Sequence, residues 1–187
     1  MMAKKQKFSL SKSGFSLVEL MIVVAITAVL SGLFLANLKQ GEITRSLKLA
    51  SDTTQSGLRL MQNNTLSGLA HPSGQPLRDY GMTVGSSGTS YVTFTEARNA
   101  GGNAINYQAL ETITLPSRTS FSNIAIAGTS VASLSLRFMP PFGEIRMTGG
   151  SYNEATSQRA TFDIIYSGST LKKTVTIDGS SGRIEVQ

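Results

Sequence analysis

The 187-residue chain contains no cysteine and has a single histidine, His71. Without cysteine it can form no disulfide, no thiolate nucleophile and no cysteine-ligated metal site. With one histidine it can build neither a zinc site of the usual kind nor a histidine-based catalytic triad. Glycine loops of the phosphate-binding type are also missing, and Asp163 and Asp178 stand alone among strand and turn residues. The sequence therefore predicts a protein that is not an enzyme and that uses no cofactor or metal.

Acidic residues are missing from the first 14 positions, where Lys4, Lys5, Lys7 and Lys12 lie. These four lysines supply most of the formal net charge of +6, so the rest of the chain is nearly balanced. The excess of positive charge thus marks the N-terminal segment and is weak evidence for a nucleic-acid partner.

Charge is also missing from Leu20 through Leu38, a run of 19 residues. As a helix this run would span roughly 28 Å, close to the hydrocarbon thickness of a bilayer. A chain of this size has no core that could surround such a helix, so the run predicts a single membrane span. The lysines that precede it favour a cytoplasmic N-terminus, with the remainder of the chain outside the membrane.

Several processing routes compete for this N-terminal segment. A conventional secretory signal needs small residues before the cut, but cuts after Ala36 or Gly32 would place Phe34 or Leu30 at the third position before it. A lipoprotein signal needs a cysteine. An uncleaved anchor remains open, yet it gives no reason for the carboxylate of Glu19 at the head of the apolar run.

The residues Gly14-Phe15-Ser16-Leu17-Val18-Glu19-Leu20 resemble the prepilin cleavage and methylation motif of type IV pilins and type II secretion pseudopilins. The resemblance implies that a prepilin peptidase and methyltransferase removes a basic leader, residues 1–14, and methylates the new amine of Phe15. Glu19 then becomes the fifth residue of the mature chain, where that family has its glutamate.

A carboxylate inside a membrane helix is costly and usually has a function. The resemblance implies that Glu19 neutralises the N-terminal amine of a neighbouring pilin or pseudopilin subunit, because opposite charges attract strongly in a medium of low dielectric. The alternative is that Glu19 reaches the lipid head groups and has no role in assembly.

Helical periodicity continues beyond the apolar run. A weakly apolar stripe has spacings of three and four, and it comprises Ile43, Leu47, Ala50, Thr54, Leu58, Met61 and Thr65. The opposite face carries the charged residues Glu42, Arg45, Lys48, Asp52 and Arg59. We therefore predict one helix from Phe15 to about Gly68, with a membrane or filament-core half (15–38) and an amphipathic half (39–68).

The remaining residues, 69–187, form a predicted β-rich head outside the cytoplasm. Short runs rich in valine, isoleucine, threonine and aromatic residues predict strands at Tyr80–Val84, Ser90–Thr95, Leu110–Leu115, Leu134–Phe138, Glu144–Met147, Ala160–Tyr166, Lys172–Ile177 and Arg183–Val186. The last pair predicts a hairpin with its turn at 178–182, and RFMPPFGEIRM predicts another. The fold class is α+β, with an antiparallel sheet or sandwich packed on the amphipathic half-helix. The phrase LRLMQNNTLSG at the helix end, the hairpin near Phe138 to Gly143 and the terminal GRIEV strand resemble minor pseudopilin H and FimT-type pilins.

The sequence thus predicts a prepilin-like structural subunit, used in a minor role, of a type IV pilus or a type II secretion pseudopilus. Its predicted location is the inner membrane and then the filament. An alternative function is DNA capture during uptake, for which Arg137, Arg146, Lys172, Lys173 and Arg183 are candidate phosphate-binding residues. The competing interpretation of these cations is a solvated surface of mixed charge, because acidic residues are interspersed among them.

Overall fold

The computed structural model describes residues 16–67, 78–98, 104–140 and 142–187. It contains one helix, α1 (Leu17–Leu66), and eleven strands: β1 (Arg78–Gly85), β2 (Ser90–Arg98), β3 (Ala104–Thr114), β4 (Thr119–Ile126), β5 (Thr129–Ser130), β6 (Ser133–Met139), β7 (Glu144–Gly149), β8 (Tyr152–Ala155), β9 (Arg159–Tyr166), β10 (Lys172–Asp178) and β11 (Ile184–Val186). Two compact units divide the chain, Met1–Gly41 and Glu42–Gln187. We call the second of these the head unit.

The strands form two antiparallel sheets in the head unit. One is six-stranded, in the order β3-β2-β1-β6-β7-β8, and the other is five-stranded, in the order β11-β10-β9-β4-β5. Neighbouring strands in each sheet run antiparallel. The predicted α+β class, with a long N-terminal helix on antiparallel sheet, is confirmed.

The amphipathic half of α1 buries the stripe that the sequence predicts. Ala50, Thr54 and Leu58 have no exposed surface, and Leu47, Met61 and Thr65 are at most 3% exposed. The charged residues predicted for the opposite face are exposed. The buried stripe shares one hydrophobic core with residues of both sheets, among them Met82, Phe138, Phe162 and Ile177.

Polar contacts fix α1 against both sheets. The buried hydroxyl of Thr65 donates to Met61 O within the helix at 3.0 Å and lies 3.2 Å from Phe138 O of β6. Tyr91 of β2 donates to Thr53 O at 3.1 Å. Gln62 Nε2 donates to the carbonyl of Gly182, in the turn between β10 and β11, at 3.2 Å. Because the buried hydroxyl groups have partners, two threonines can occupy a stripe that packs on a core.

Both predicted hairpins are confirmed. In β10–β11, Val175 pairs with Val186 and Ile177 with Ile184. In β6–β7, Arg137 pairs with Arg146 and Phe138 with Ile145. The eight predicted strands all occur, although β3 begins at Ala104, six residues before the predicted start at Leu110.

Three strands were not predicted: β4, β5 and β8. The sequence of β4, TSFSNIAI, contains serine and asparagine, which are poor strand formers. Its pairing with β9 is interrupted between Ser122 and Ala125, where Asn123 has a φ of +49°. Such a bulge breaks the alternation that identifies a strand in a sequence. The strands β5 and β8 are only two and four residues long.

The six-stranded sheet has a second face, which we call the outer face, opposite the core residues Tyr80 and Met82. Phe94 lies on it, paired in register with Gly81, and is 1% exposed. A Cβ atom on Gly81 would lie 2.4 Å from both Leu136 O and Phe94 Cζ. The absence of a side chain at residue 81 therefore leaves room for both the aromatic ring and the neighbouring strand.

We predict that Gly81→Ala lowers the free energy of unfolding by about 1–3 kcal/mol, because the added methyl group must displace backbone as well as the Phe94 ring. The measurement is urea unfolding of the purified chain. Gly85→Ala, in the same strand, is the matched control, because its Cβ would meet nothing within 4 Å. Equal stability of the two variants would contradict this account of Phe94.

Candidate functional site

The N-terminal candidate site is built around the start of α1. The predicted cleavage and methylation residues, Gly14 and Phe15, lie outside the described residues. Ser16 precedes the helix, and its Oγ accepts a hydrogen bond from the backbone N–H of Glu19 at 3.2 Å. The carbonyl of Ser16 accepts the first helical hydrogen bond, from Leu20 N–H at 3.1 Å. Ser16 is thus the N-cap of α1, and Glu19 occupies the third helical position, where serine-capped helices favour glutamate.

Glu19 lies in the first helical turn, where a negative charge interacts favourably with the helix dipole. Its side chain is exposed, and it is the one charged residue between Ser16 and Leu38. A carboxylate in this position can meet a cation that approaches the N-terminus of the helix.

The large apolar side chains that follow surround the helix on every side and are uncovered. Those from Leu17 to Leu38 are each between 50% and 74% exposed. The hydroxyl group of Thr27 is satisfied within the helix, by Val23 O at 2.9 Å and Val24 O at 3.0 Å. Among the described elements, α1 is long and apolar enough to cross a membrane. A surface of this kind requires lipid or other apolar helices around it.

The five candidate DNA-binding residues fall on both sheets. Arg137 and Arg146 pair across β6 and β7 on the outer face, whereas Lys172 and Lys173 belong to β10 and Arg183 immediately precedes β11. Lys172 Nζ lies 2.8 Å from Asp163 Oδ2, and Arg183 forms an ion pair with Glu185. This placement does not test DNA binding, which stays a prediction for these residues.

Arg137 and Arg146 belong to a charged cluster that the sequence did not predict. It contains three guanidinium and three carboxylate groups on the outer face: Arg98, Arg137, Arg146, Asp79, Glu96 and Glu154. Glu154 joins the three arginines, at 2.6 Å from Arg146, 2.9 Å from Arg137 and 3.4 Å from Arg98. The positive charges are balanced inside the cluster, so the two candidate arginines are engaged with carboxylates.

Burial and charge act in opposite directions on the carboxyl groups of this cluster. Burial raises the pKa of Asp79 and of Glu96, although neighbouring arginines oppose the shift. At Glu154 burial is outweighed by the hydrogen bond from Arg146 and by the three guanidinium charges, so its pKa lies below the ordinary value. No stretch of local sequence could have predicted the cluster, because its members come from β1, β2, β6, β7 and β8.

In the described part of the chain, no three histidine or carboxylate side chains come together as possible metal ligands. His71 lies outside the described residues.

Comparison with known families identifies the N-terminal region. Residues 10–35 match the family described as the prokaryotic N-terminal methylation motif. No curated protein and no solved structure matches the chain significantly. The match confirms the resemblance to type IV pilin-like prepilins, a class of structural subunits. It covers the motif and the start of α1, and the apolar helix that follows is consistent with membrane anchoring.

The carboxylate that pairs with Lys172 gives a testable pH dependence. Asp163 is 4% exposed and accepts hydrogen bonds from Asn123 and Lys172 at 2.8 Å and from Thr174 at 2.7 Å. Burial alone would raise its pKa, but these hydrogen bonds hold the pKa of Asp163 below its ordinary value of 3.8. Its contribution to stability is therefore present above pH 3.8 and is lost as the pH falls through the folded-state pKa.

We predict that Asp163→Asn lowers the free energy of unfolding at pH 7 by about 1–3 kcal/mol, because buried partners lose their acceptor. The difference from wild type should shrink below pH 3.8. Urea unfolding at pH 7 and at pH 3 measures both values, with Asp52→Asn, at an exposed position of α1, as the control. A loss that is equally large at both pH values would contradict the assignment.

Proposed function

We propose that the chain is a structural subunit, used in a minor role, of a type IV pilus or a type II secretion pseudopilus. The observation that carries this proposal is an uncovered apolar helix that begins, within the matched methylation motif, with a capped turn containing Glu19. Lipid covers this helix before assembly, and the helices of neighbouring subunits cover it afterwards.

The proposed order of events follows from the charges. Lys4, Lys5, Lys7 and Lys12 keep the leader, residues 1–14, on the cytoplasmic side of the inner membrane, while residues 69–187 lie outside. The prepilin peptidase and methyltransferase cuts between Gly14 and Phe15 and methylates the new amine. That amine is the cation that Glu19 of an adjacent subunit neutralises, which favours a subunit in the correct register over a slipped one.

Leader removal tests the first step. In cells with an active prepilin peptidase, the mature chain is expected to begin at Phe15 and to carry an additional methyl group, both measured by mass spectrometry of the intact protein and of its N-terminal peptide. Gly14→Val, which places a bulky side chain at the cut, is expected to retain the leader. A wild-type chain that keeps residues 1–14 in such cells would refute the proposal.

Glu19→Gln tests the assembly step. The amide keeps the size of the side chain but removes its charge, so leader removal should be unchanged. The amount of the chain in sheared filaments should fall at least about fivefold, as expected for the loss of roughly 1 kcal/mol of pairing energy. Immunoblots of the membrane and filament fractions measure it.

Glu42→Gln, at an exposed position of the same helix, is the matched control and should assemble normally. Should Glu19→Gln enter filaments as efficiently as the parent chain, the carboxylate is not what selects the register.

A further inference from the structure

A polar hollow of about 340 Å³ lies in the head unit, beside the last turns of α1. The β6–β7 turn forms one wall, with Phe142 and Glu144, and the β10–β11 turn forms another. Gln62 and Gly182 also line an adjoining groove of about 650 Å³. The two spaces share Gln62 and Gly182 in their linings, and we call them together the furrow. Two adjoining spaces of this kind suit a ligand built of more than one unit.

The lining of the furrow is unsuited to an apolar ligand. Side-chain amides come from Gln62 and Asn63, and hydroxyl groups come from Ser157, Ser180 and Ser181. The one large apolar side chain at the first hollow is Phe142, which is 90% exposed, more than any other large apolar residue described. The site thus combines many hydrogen-bonding groups with one open aromatic face.

The walls of the furrow are held by local hydrogen bonds and contain glycines at close approaches. Gly143 has a φ of +70°, and its N–H donates to Met139 O at 2.8 Å. In the opposite turn, Asp178 Oδ1 accepts hydrogen bonds from the backbone N–H of Ser180 at 2.9 Å and of Ser181 at 3.2 Å. A Cβ on Gly182 would lie 3.2 Å from Gln62 Nε2. These features describe a preformed site, as is usual for ligand pockets.

The charges of the furrow argue against a phosphate-bearing ligand. Glu144 is the one charged residue at the first hollow, and its carboxylate is 3.9 Å from Arg146 Nε. In the adjoining groove Arg183 is paired with Glu185, which leaves Arg59 as a single cation. The ligand chemistry that fits is uncharged, rich in hydroxyl groups and apolar on one face.

A pyranose ring has these properties, because its axial C–H groups form an apolar face while its hydroxyl groups lie at the rim. Aromatic side chains stack on such a face, and amides, hydroxyl groups and carboxylates bind the rim. We propose that the furrow binds an uncharged oligosaccharide, with one sugar ring stacked on Phe142 and its hydroxyl groups bonded to Gln62, Glu144 and the serines of the β10–β11 turn.

The test uses the mature full-length chain in micelles of a detergent without sugar head groups. It is applied to a microarray that carries chitotriose, maltotriose, lacto-N-tetraose and the acidic 3′-sialyllactose, and the strongest neutral ligand is then titrated by calorimetry. Wild type should bind at least one neutral oligosaccharide. Phe142→Ala should bind it at least about tenfold more weakly, and Phe142→Tyr, which keeps the aromatic face, within about threefold of wild type.

Tyr107→Ala removes an exposed aromatic residue from β3 and should leave binding unchanged. Circular dichroism confirms that each variant is folded. The proposal is overturned by the absence of neutral-glycan binding, by binding of the acidic glycan alone, or by equal binding of Phe142→Ala and wild type. It is likewise overturned if Phe142→Ala changes self-association of the chain and leaves glycan binding intact, because Phe142 would then be a protein contact.

Discussion

The apolar surface on the first half of α1 is the constraint on which the rest of the molecule depends. Side chains such as Leu20, Val24 and Phe34 are more than half exposed, and apolar area left in water is unfavourable by about 25 cal/mol per Å². Lipid or other apolar helices must therefore cover this surface. A carboxylate in the first turn of such a helix is tolerated where a cation meets it, which is the basis of the proposed pairing between Glu19 and the amine that leader removal would create.

The first half of α1 must be covered by lipid or by other helices. The head unit therefore has to form a hydrophobic core from its own residues. It does so with the buried stripe of α1 and the inner faces of two sheets. On the outer face, the arginines around Glu154 also pair with the buried carboxylates of Asp79 and Glu96, so the buried negative charges are neutralised there. Buried ion pairs of this kind are weak contributors to stability but are strongly destabilising when one partner is removed. The charged groups of this cluster thus bind one another within the head unit.

The features that could be predicted from the sequence are local and periodic. The stripe of α1 was predictable because Leu47, Thr54 and Leu58 recur at helical spacing, and the β10–β11 hairpin because its residues alternate around a short turn. The strand β4 was not, since Asn123 forms a bulge and its serines resemble a loop. The cluster around Glu154 and the furrow beside Phe142 depend on strand order, which brings together residues far apart in the chain. The proline pair before Phe142 indicated a turn, but not what the turn would face.

The two halves of α1 differ in the surface that they present. Its charge-free part ends at Leu38, and the buried stripe begins near Ile43, so one helix changes from apolar on all sides to apolar on one side within about a turn. The first part contains most of the methylation motif that residues 10–35 match, which relates the chain to pilin-like prepilins. The match ends at residue 35, so it leaves the exposed surface of the head unit without a counterpart. There the buried carboxylates are already paired, with arginines on the outer face and with Lys172 at Asp163, and the furrow offers amides, hydroxyl groups and one aromatic ring.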